Sequence, residues 1–163
     1  MPEGVDKASF RYGMGHFATG VTIMTTAASG RLHGMTVSAF ASVSLEPPLI
    51  LVCVERSTLM HRLLEATNVF AVNILGERGE ATSRFFADNA RLEGPEFREG
   101  SYRPGLNGSP ILLEATAYLE ARVHGKHEAG DHTVIVGEVI HLEVMSEEDP
   151  LIFYRGGYRA LKG

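Results

Sequence analysis

The hydrophobic positions of this chain change period along its length. Near the N-terminus Phe10, Met14 and Phe17 recur at helical spacing behind Asp6, which can cap them, and Gly20 breaks the pattern; this predicts a helix. The β-branched stretch Val21–Thr26 (VTIMTT) then predicts a strand. Ser29-Gly30 signals a turn into a second extended stretch, Leu32–Phe40. Beyond Pro47-Pro48, the run Leu49–Val54 (LILVCV) is continuously apolar and predicts a buried strand. Helical spacing returns at Leu59, Leu63, Leu64 and Ala66, with Ser57 or Thr58 as the cap. Val69–Leu75 predicts a strand and Ala81–Phe86 lies within a short amphipathic helix. Residues 89–109 hold Gly, Pro and charges without period, and are expected to form a long exposed loop. Two long strands follow, Ala115–Val123 and Thr133–Val144, turning at Gly130-Asp131, and Leu151–Tyr154 is a last short one. Six or seven strands at hairpin spacing, with three helices that do not alternate with them, predict a mainly β fold. The expected architecture is an antiparallel barrel with peripheral helices.

Composition narrows the classes. At 163 residues the chain can bury a real core without staples, and one domain spanning 1–163 is expected. Fifteen basic against twenty acidic residues give a net charge of −5, a poor footprint for nucleic acid. A single cysteine excludes an internal disulfide and a thiolate zinc cluster, and fits a reducing, cytoplasmic setting. No apolar run approaches ~20 residues, and MPEGVDKASF lacks the layout of a signal peptide, so no membrane contact is expected.

Four stretches carry candidate chemistry. Gly34–Ser44 (GMTVSAFASVS), running into Glu46-Pro47-Pro48, is dense in hydroxyls at Thr36, Ser38, Ser42 and Ser44. On a half-buried strand these are compact donors and acceptors, beside backbone groups left free where pairing is irregular. A flat polar heterocycle needs such an edge; a hydroxyl-rich edge strand without a ligand explains the composition as well. Arg56-Ser57-Thr58 would open a helix whose free N–H groups and positive end suit an anion, with Arg56 adding a charge-assisted contact. Plain capping by Ser57 or Thr58 is compatible with that role, because a phosphate can displace the cap. Gly130-Asp131-His132-Thr133 leads an imidazole from a turn into a strand, either over a pocket or at the surface. In Tyr154-Arg155-Gly156-Gly157-Tyr158 the glycines admit a ligand to the backbone, and Arg155 and the tyrosines can contact phosphate and rings. The alternative is a terminal turn packing its tyrosines on the barrel.

Three other signals are set aside. Gly13–Ala18 matches G-x-G-x-x-A, but it follows a helix and lacks an acidic residue about twenty positions on, which rejects a dinucleotide fingerprint. His124 and His127 sit three apart in a strand and point to opposite faces, so no metal site is expected from them with His132. Cys53, inside LILVCV, reads as a buried, unactivated thiol.

Taken in order and spacing, FATGVTIMTT (Phe17–Thr26), Gly34–Ser44 with Pro47-Pro48, LILVCV with Ser57, FAVN (Phe70–Asn73), Phe86-Ala87, GDHT (Gly130–Thr133) and YRGGY (Tyr154–Tyr158) resemble the short-chain flavin reductase family. The match runs from Phe10 to Leu161. The resemblance implies an antiparallel split β-barrel of Greek-key type, the FMN-binding split barrel, working as a homodimer with flavin near the subunit interface. It implies oxidation of NADH or NADPH, reduction of FMN or FAD, and delivery of reduced flavin to a separate monooxygenase. By the same likeness Thr36, Val37, Ser38, Ala39, Ser42, Val43 and Ser44 would line the flavin ring and ribityl chain. Cys53, Val54, Arg56, Ser57 and Thr58 would follow the ribityl-phosphate path, with Phe86 and Ala87 closing that side. Thr19, Gly20, His132, Tyr154, Arg155, Gly156 and Tyr158 would face the nicotinamide nucleotide, His132 as its positioning group. Many relatives carry a second hydroxyl two residues after the serine; here that residue is Leu59, and Thr58 adjoins Ser57 instead. Two other functions compete with this one. A split barrel could hold flavin or haem without turnover, for which GDHT and YRGGY have no use. An oxidase of the pyridoxamine-phosphate type would need clustered Lys and Arg, which the chain lacks.

Overall fold

A computed structural model describes residues 4–162. Its elements run α1 (Lys7–Met14), β1 (Thr19–Gly20), β2 (Thr22–Ala28), β3 (Arg31–Val37), β4 (Phe40–Leu45), β5 (Pro48–Glu55), α2 (Leu59–Ala66), β6 (Val69–Leu75), α3 (Glu80–Ala87), β7 (Tyr102–Pro104), β8 (Pro110–Leu112), β9 (Ala115–Ala129), β10 (His132–Val144), β11 (Ile152–Tyr154) and β12 (Gly157–Arg159). Seven strands form one sheet in the order β3-β2-β6-β9-β10-β5-β4, with every neighbouring pair antiparallel. Its two edge strands, β3 and β4, are consecutive in the chain and joined only by Ser38-Ala39. The sheet therefore curls into a barrel with a seam, and the hydroxyl-rich stretch runs along both lips of that seam. The mainly β, antiparallel expectation holds.

Two cores result. Inside the barrel, Met24, Val37, Val52, Val54, Phe70, Leu119 and Ile135 pack together, and Met60 and Leu64 bring α2 against them. Outside, Val21, Ile23, Leu75, Leu112 and Leu151 pack with Phe86 of α3. Burying a side chain of this size stabilises by about 1.5–3 kcal/mol, so the inward-facing residues of each strand fix its register.

Several local expectations need correction. The stretch 32–40 is two strands, because the chain crosses the seam at Ser38-Ala39 with no Gly or Pro to mark the break. LILVCV is not buried throughout: Ile50, Val52 and Val54 face the core, whereas Leu49, Leu51 and Cys53 lie half-buried on the other face. Cys53 is accordingly not a fully buried thiol. The first helix ends at Met14, so Phe17 lies beyond it, and α1 buries none of its residues.

The largest correction concerns residues 89–109, which are mostly exposed as expected but include β7 and a few buried side chains. Arg91 and Glu96 are buried there. Glu96 accepts a hydrogen bond from His33 Nδ1 at 2.9 Å, and Arg91 donates to the Gly34 carbonyl at 2.8 Å. Further on, Asn107 donates through its backbone to buried Glu120 and through its side chain to the Phe70 carbonyl. The first of these segments is tied to β3 and the second to β6 and β9. Their burial rests on partners some sixty residues away, and period along the chain cannot reveal such partners.

Candidate active site

Two groups of predicted residues come together, on opposite sides of the seam. The first forms where β5, α2 and β10 meet. The β5–β10 register sets His132 opposite Glu55 and Val134 opposite Cys53. Arg56 N–H donates to the Asp131 carbonyl at 3.0 Å, so Arg56-Ser57-Thr58 and the GDHT turn share one corner. Thr58 caps α2 by accepting from His61 N–H, while its own hydroxyl donates to the Glu55 carbonyl. The Ser57 hydroxyl donates to the Glu55 carboxylate at 2.9 Å. Arg56 is held only loosely, 3.6 Å from Glu128, with both side chains largely in solvent. His132 Nδ1 donates to Asp131 Oδ1 at 2.7 Å, which fixes the ring and leaves Nε2 without a hydrogen bond among the described residues. That hydrogen bond and the imidazole charge hold the Asp131 carboxyl below its usual range, and Lys7 at the start of α1 adds to the effect. An anion arriving here would meet Arg56, two hydroxyls, the first N–H groups of α2 and an oriented imidazole.

The second group forms where β3, α3 and β12 meet. The Thr36 hydroxyl donates to the Ser83 carbonyl at 2.7 Å, and Ser83 Oγ is 2.7 Å from Tyr158 Oη. The Arg84 guanidinium lies 4.8 Å above the Tyr158 ring and is tied to Glu80 at 2.8 Å. β1 pairs with β11, Thr19 opposite Phe153 and Gly20 opposite Ile152. Arg155 and Gly156 form the tip of the β11–β12 hairpin, both at positive φ, and Arg155 N–H donates to the Gly15 carbonyl at 2.8 Å. Helix α1 is thereby fastened to the hairpin at one end. Tyr154 is half-buried on β11.

Between these groups lie the lips of the seam. Ser38 and Ser44 are half-buried, while Ala39, Ser42 and Val43 are exposed. Val43 is the extra residue where the β4–β5 register shifts between Ser42 and Ser44, an irregularity that frees backbone groups and re-aims side chains. Cys53 N–H donates to the Ala39 carbonyl, so Cys53 lies beside the seam. Ala87 is exposed at the end of α3. The side chains of Val37, Val54 and Phe86 face the cores, so only their backbone can meet a ligand.

Sequence reasoning missed Ser83, whose signal was a serine on the same face of α3 as Phe86, where an apolar residue would be expected. It also missed His33, Glu96 and Arg91, which brace Gly34 two residues before Thr36. Among the described residues no group of three His, Cys, Asp or Glu side chains gathers to hold a metal ion.

The Flavin reductase like domain model matches residues 14–162. This chain belongs to that family. The reductase subunit HsaB of a flavin-dependent monooxygenase from Rhodococcus jostii is 36% identical over 162 residues, covering 98% of this chain and 80% of HsaB. The NADH:FAD oxidoreductase SgcE6 of Streptomyces globisporus, solved in complex with NAD and FAD fragments, superposes with a TM-score of 0.91 at 37% identity, covering 96% of this chain and 93% of that one. BorF, the flavin reductase component of a bacterial two-component tryptophan halogenase, superposes with a TM-score of 0.91 at 34% identity, covering 97% and 99%. The family's split-barrel fold is the seamed barrel described above.

Proposed function

We propose that this protein is an NAD(P)H:flavin oxidoreductase that reduces FMN or FAD with NADH or NADPH and supplies reduced flavin to a separate monooxygenase. The observation that carries the reading is the seam, a hydroxyl-lined open edge with an anion corner at one side and the C-terminal hairpin at the other. Its residues fit the ligands. Thr19 Oγ1 is shut away from solvent with no hydrogen-bond partner among the described residues, and a buried hydroxyl left unpaired costs about 1–3 kcal/mol unless a ligand or water satisfies it.

When bound, flavin and nicotinamide supply the hydride chemistry, and the protein supplies alignment and exclusion of water. Thr36, Ser38, Ser42 and Ser44, with the backbone at Val37, Ala39 and Val43, hold the flavin ring and ribityl chain. Arg56, Ser57, Thr58 and the backbone at Cys53 and Val54 hold phosphate. Phe86, from within the core, and Ala87 border the flavin from α3, on the other side of the seam from the phosphate group. His132, oriented by Asp131, positions the nicotinamide, together with Thr19, Gly20, Tyr154, Arg155, Gly156 and Tyr158. No side chain is required as general base.

The working form is a homodimer in the cytoplasm. Phe10 and Phe17 are 61% and 71% exposed, and Ile140, Leu142 and Val144 form an exposed apolar row on one face of β10. Apolar patches of this kind mark protein contacts, and a helix with no buried residue needs a covering surface. A second copy would cover them and complete the open seam. Among the described residues, no helix is long and apolar enough to cross a membrane.

The test is aerobic NADH and NADPH consumption with FMN, FAD and riboflavin. Flavin-dependent consumption supports the reading. Flavin binding without consumption would make the protein a carrier and overturn it.

A further inference from the structure

Thr36, Ser83 and Tyr158 belong to three segments remote in sequence, yet two hydrogen bonds of 2.7 Å join them in series. Ser83 is fully buried in the middle of α3. Serine is a weaker helix former than alanine, because its hydroxyl competes for backbone partners. Here the hydroxyl leaves the helix and meets the Tyr158 phenol, and the carbonyl of the same residue takes a bond from Thr36. The far end of the series is held rigidly. The Tyr158 ring packs edge-on against Phe153 at 5.4 Å and carries Arg84 on its face. The hairpin that bears it closes through Arg155 at φ 50, a conformation that costs a non-glycine residue about 1 kcal/mol or more and is kept where position matters.

We propose that Ser83 is a positioning residue, which couples the Tyr158 phenol to the Thr36 hydroxyl so that the C-terminal hairpin sets the orientation of Thr36 at the seam. This rests on the flavin reductase reading for its functional consequence. Tyr158 thereby acts on flavin indirectly: its hydroxyl is committed to Ser83, and its effect arrives through Thr36.

A double-mutant cycle tests this with substitutions that remove one oxygen and keep the shape, Tyr158→Phe and Thr36→Val; Ser83→Ala breaks the Tyr158 bond from its other end and keeps the carbonyl that takes the Thr36 bond, so it should match Tyr158→Phe. Two quantities are read: unfolding free energy in denaturant, and the separate KM and kcat values for flavin and NADH. Tyr158 and Thr36 have no hydrogen bond to each other, so independent roles require their effects to multiply. The coupled series predicts that each single variant raises flavin KM about fivefold, the factor of one ordinary hydrogen bond, with kcat within about twofold. The double variant should be no worse than the poorer single one, and stability should show the same non-additivity. Multiplying effects would overturn the proposal. So would coupling in stability with flavin KM unmoved, since the series would then be purely structural. If Ser83→Ala does not fold, the Tyr158→Phe and Thr36→Val cycle still decides. An inactive wild-type protein would refute the flavin reductase reading and, with it, the functional half of the proposal, while the stability cycle decides separately whether the three residues are coupled.

Discussion

The two sides of the seam are built by opposite means. At the β5–α2–β10 corner, Arg56 and Ser57 are exposed and His132 is half-buried, and their partners Glu128, Glu55 and Asp131 are exposed. At the β3–α3–β12 side, Thr36 and Ser83 are enclosed, and behind them His33, Glu96 and Arg91 brace the base of β3. Exposed pairs contribute little to stability and can release their groups to a ligand. Enclosed polar groups must be fully satisfied and hold one geometry. The difference assigns fixed shape to the side proposed for the flavin ring and for the hairpin part of the nicotinamide site, and exchangeable charge to the side proposed for phosphate and His132.

Substitutions at four positions probe that contrast. The largest effect is expected for Glu96→Ala, which leaves Arg91 and His33 buried without their carboxylate and should cost about 3–5 kcal/mol in denaturant unfolding. The pH dependence has the matching sign. Burial pushes the Glu96 carboxyl upward, but hydrogen bonding and attraction from His33, the Gly34 N–H and Arg91 outweigh it and hold the group below its ordinary 4.5. The stabilisation is therefore complete above about pH 4.5 and is lost as pH falls through the lower folded value. Unfolding measured across that acid range should steepen in the natural protein and flatten in Glu96→Gln.

Next comes Gly34→Ala. Its added Cβ would lie 2.7 Å from the Phe86 ring and 3.2 Å from that of Phe97, an overpacking expected to cost about 1–3 kcal/mol and read as a lower melting temperature. Both changes fall on the enclosed side and should disturb folding.

The open side should behave otherwise. His132→Ala should raise KM for NADH about tenfold, as for loss of a contact to a charged group, with flavin affinity nearly unchanged; equal NADH kinetics would remove His132 from the nicotinamide site. Smallest in stability is Arg56→Ala, at about 0.5 kcal/mol or less. Steady-state kinetics at low salt should nevertheless show a few-fold weaker use of a phosphate-bearing flavin, with riboflavin unaffected.

The same contrast explains what the sequence made legible. The barrel strands could be read because β-branched runs such as VTIMTT, buried at every position, and the Gly130-Asp131 turn report extended structure locally. Arg56-Ser57-Thr58 and GDHT stood out because turns and caps have their own residue chemistry. The enclosed side was hidden: Glu96 looks like any loop carboxylate until β3 brings His33 to it, and nothing at Ser83 announces Tyr158, seventy-five positions on. LILVCV misled because its outer face carries Leu49, Leu51 and Cys53, apolar residues that are only half-buried in the single chain.

The central claim is that the seam brings a reduced nicotinamide to a flavin. Anaerobic titration of the protein and stoichiometric FMN with NADH, followed by visible absorbance, tests it most directly. Bleaching of the oxidised flavin band is expected, one equivalent per NADH, far slower without the protein and slowed by His132→Ala. A flavin that binds yet keeps its oxidised spectrum under excess NADH and NADPH would contradict it.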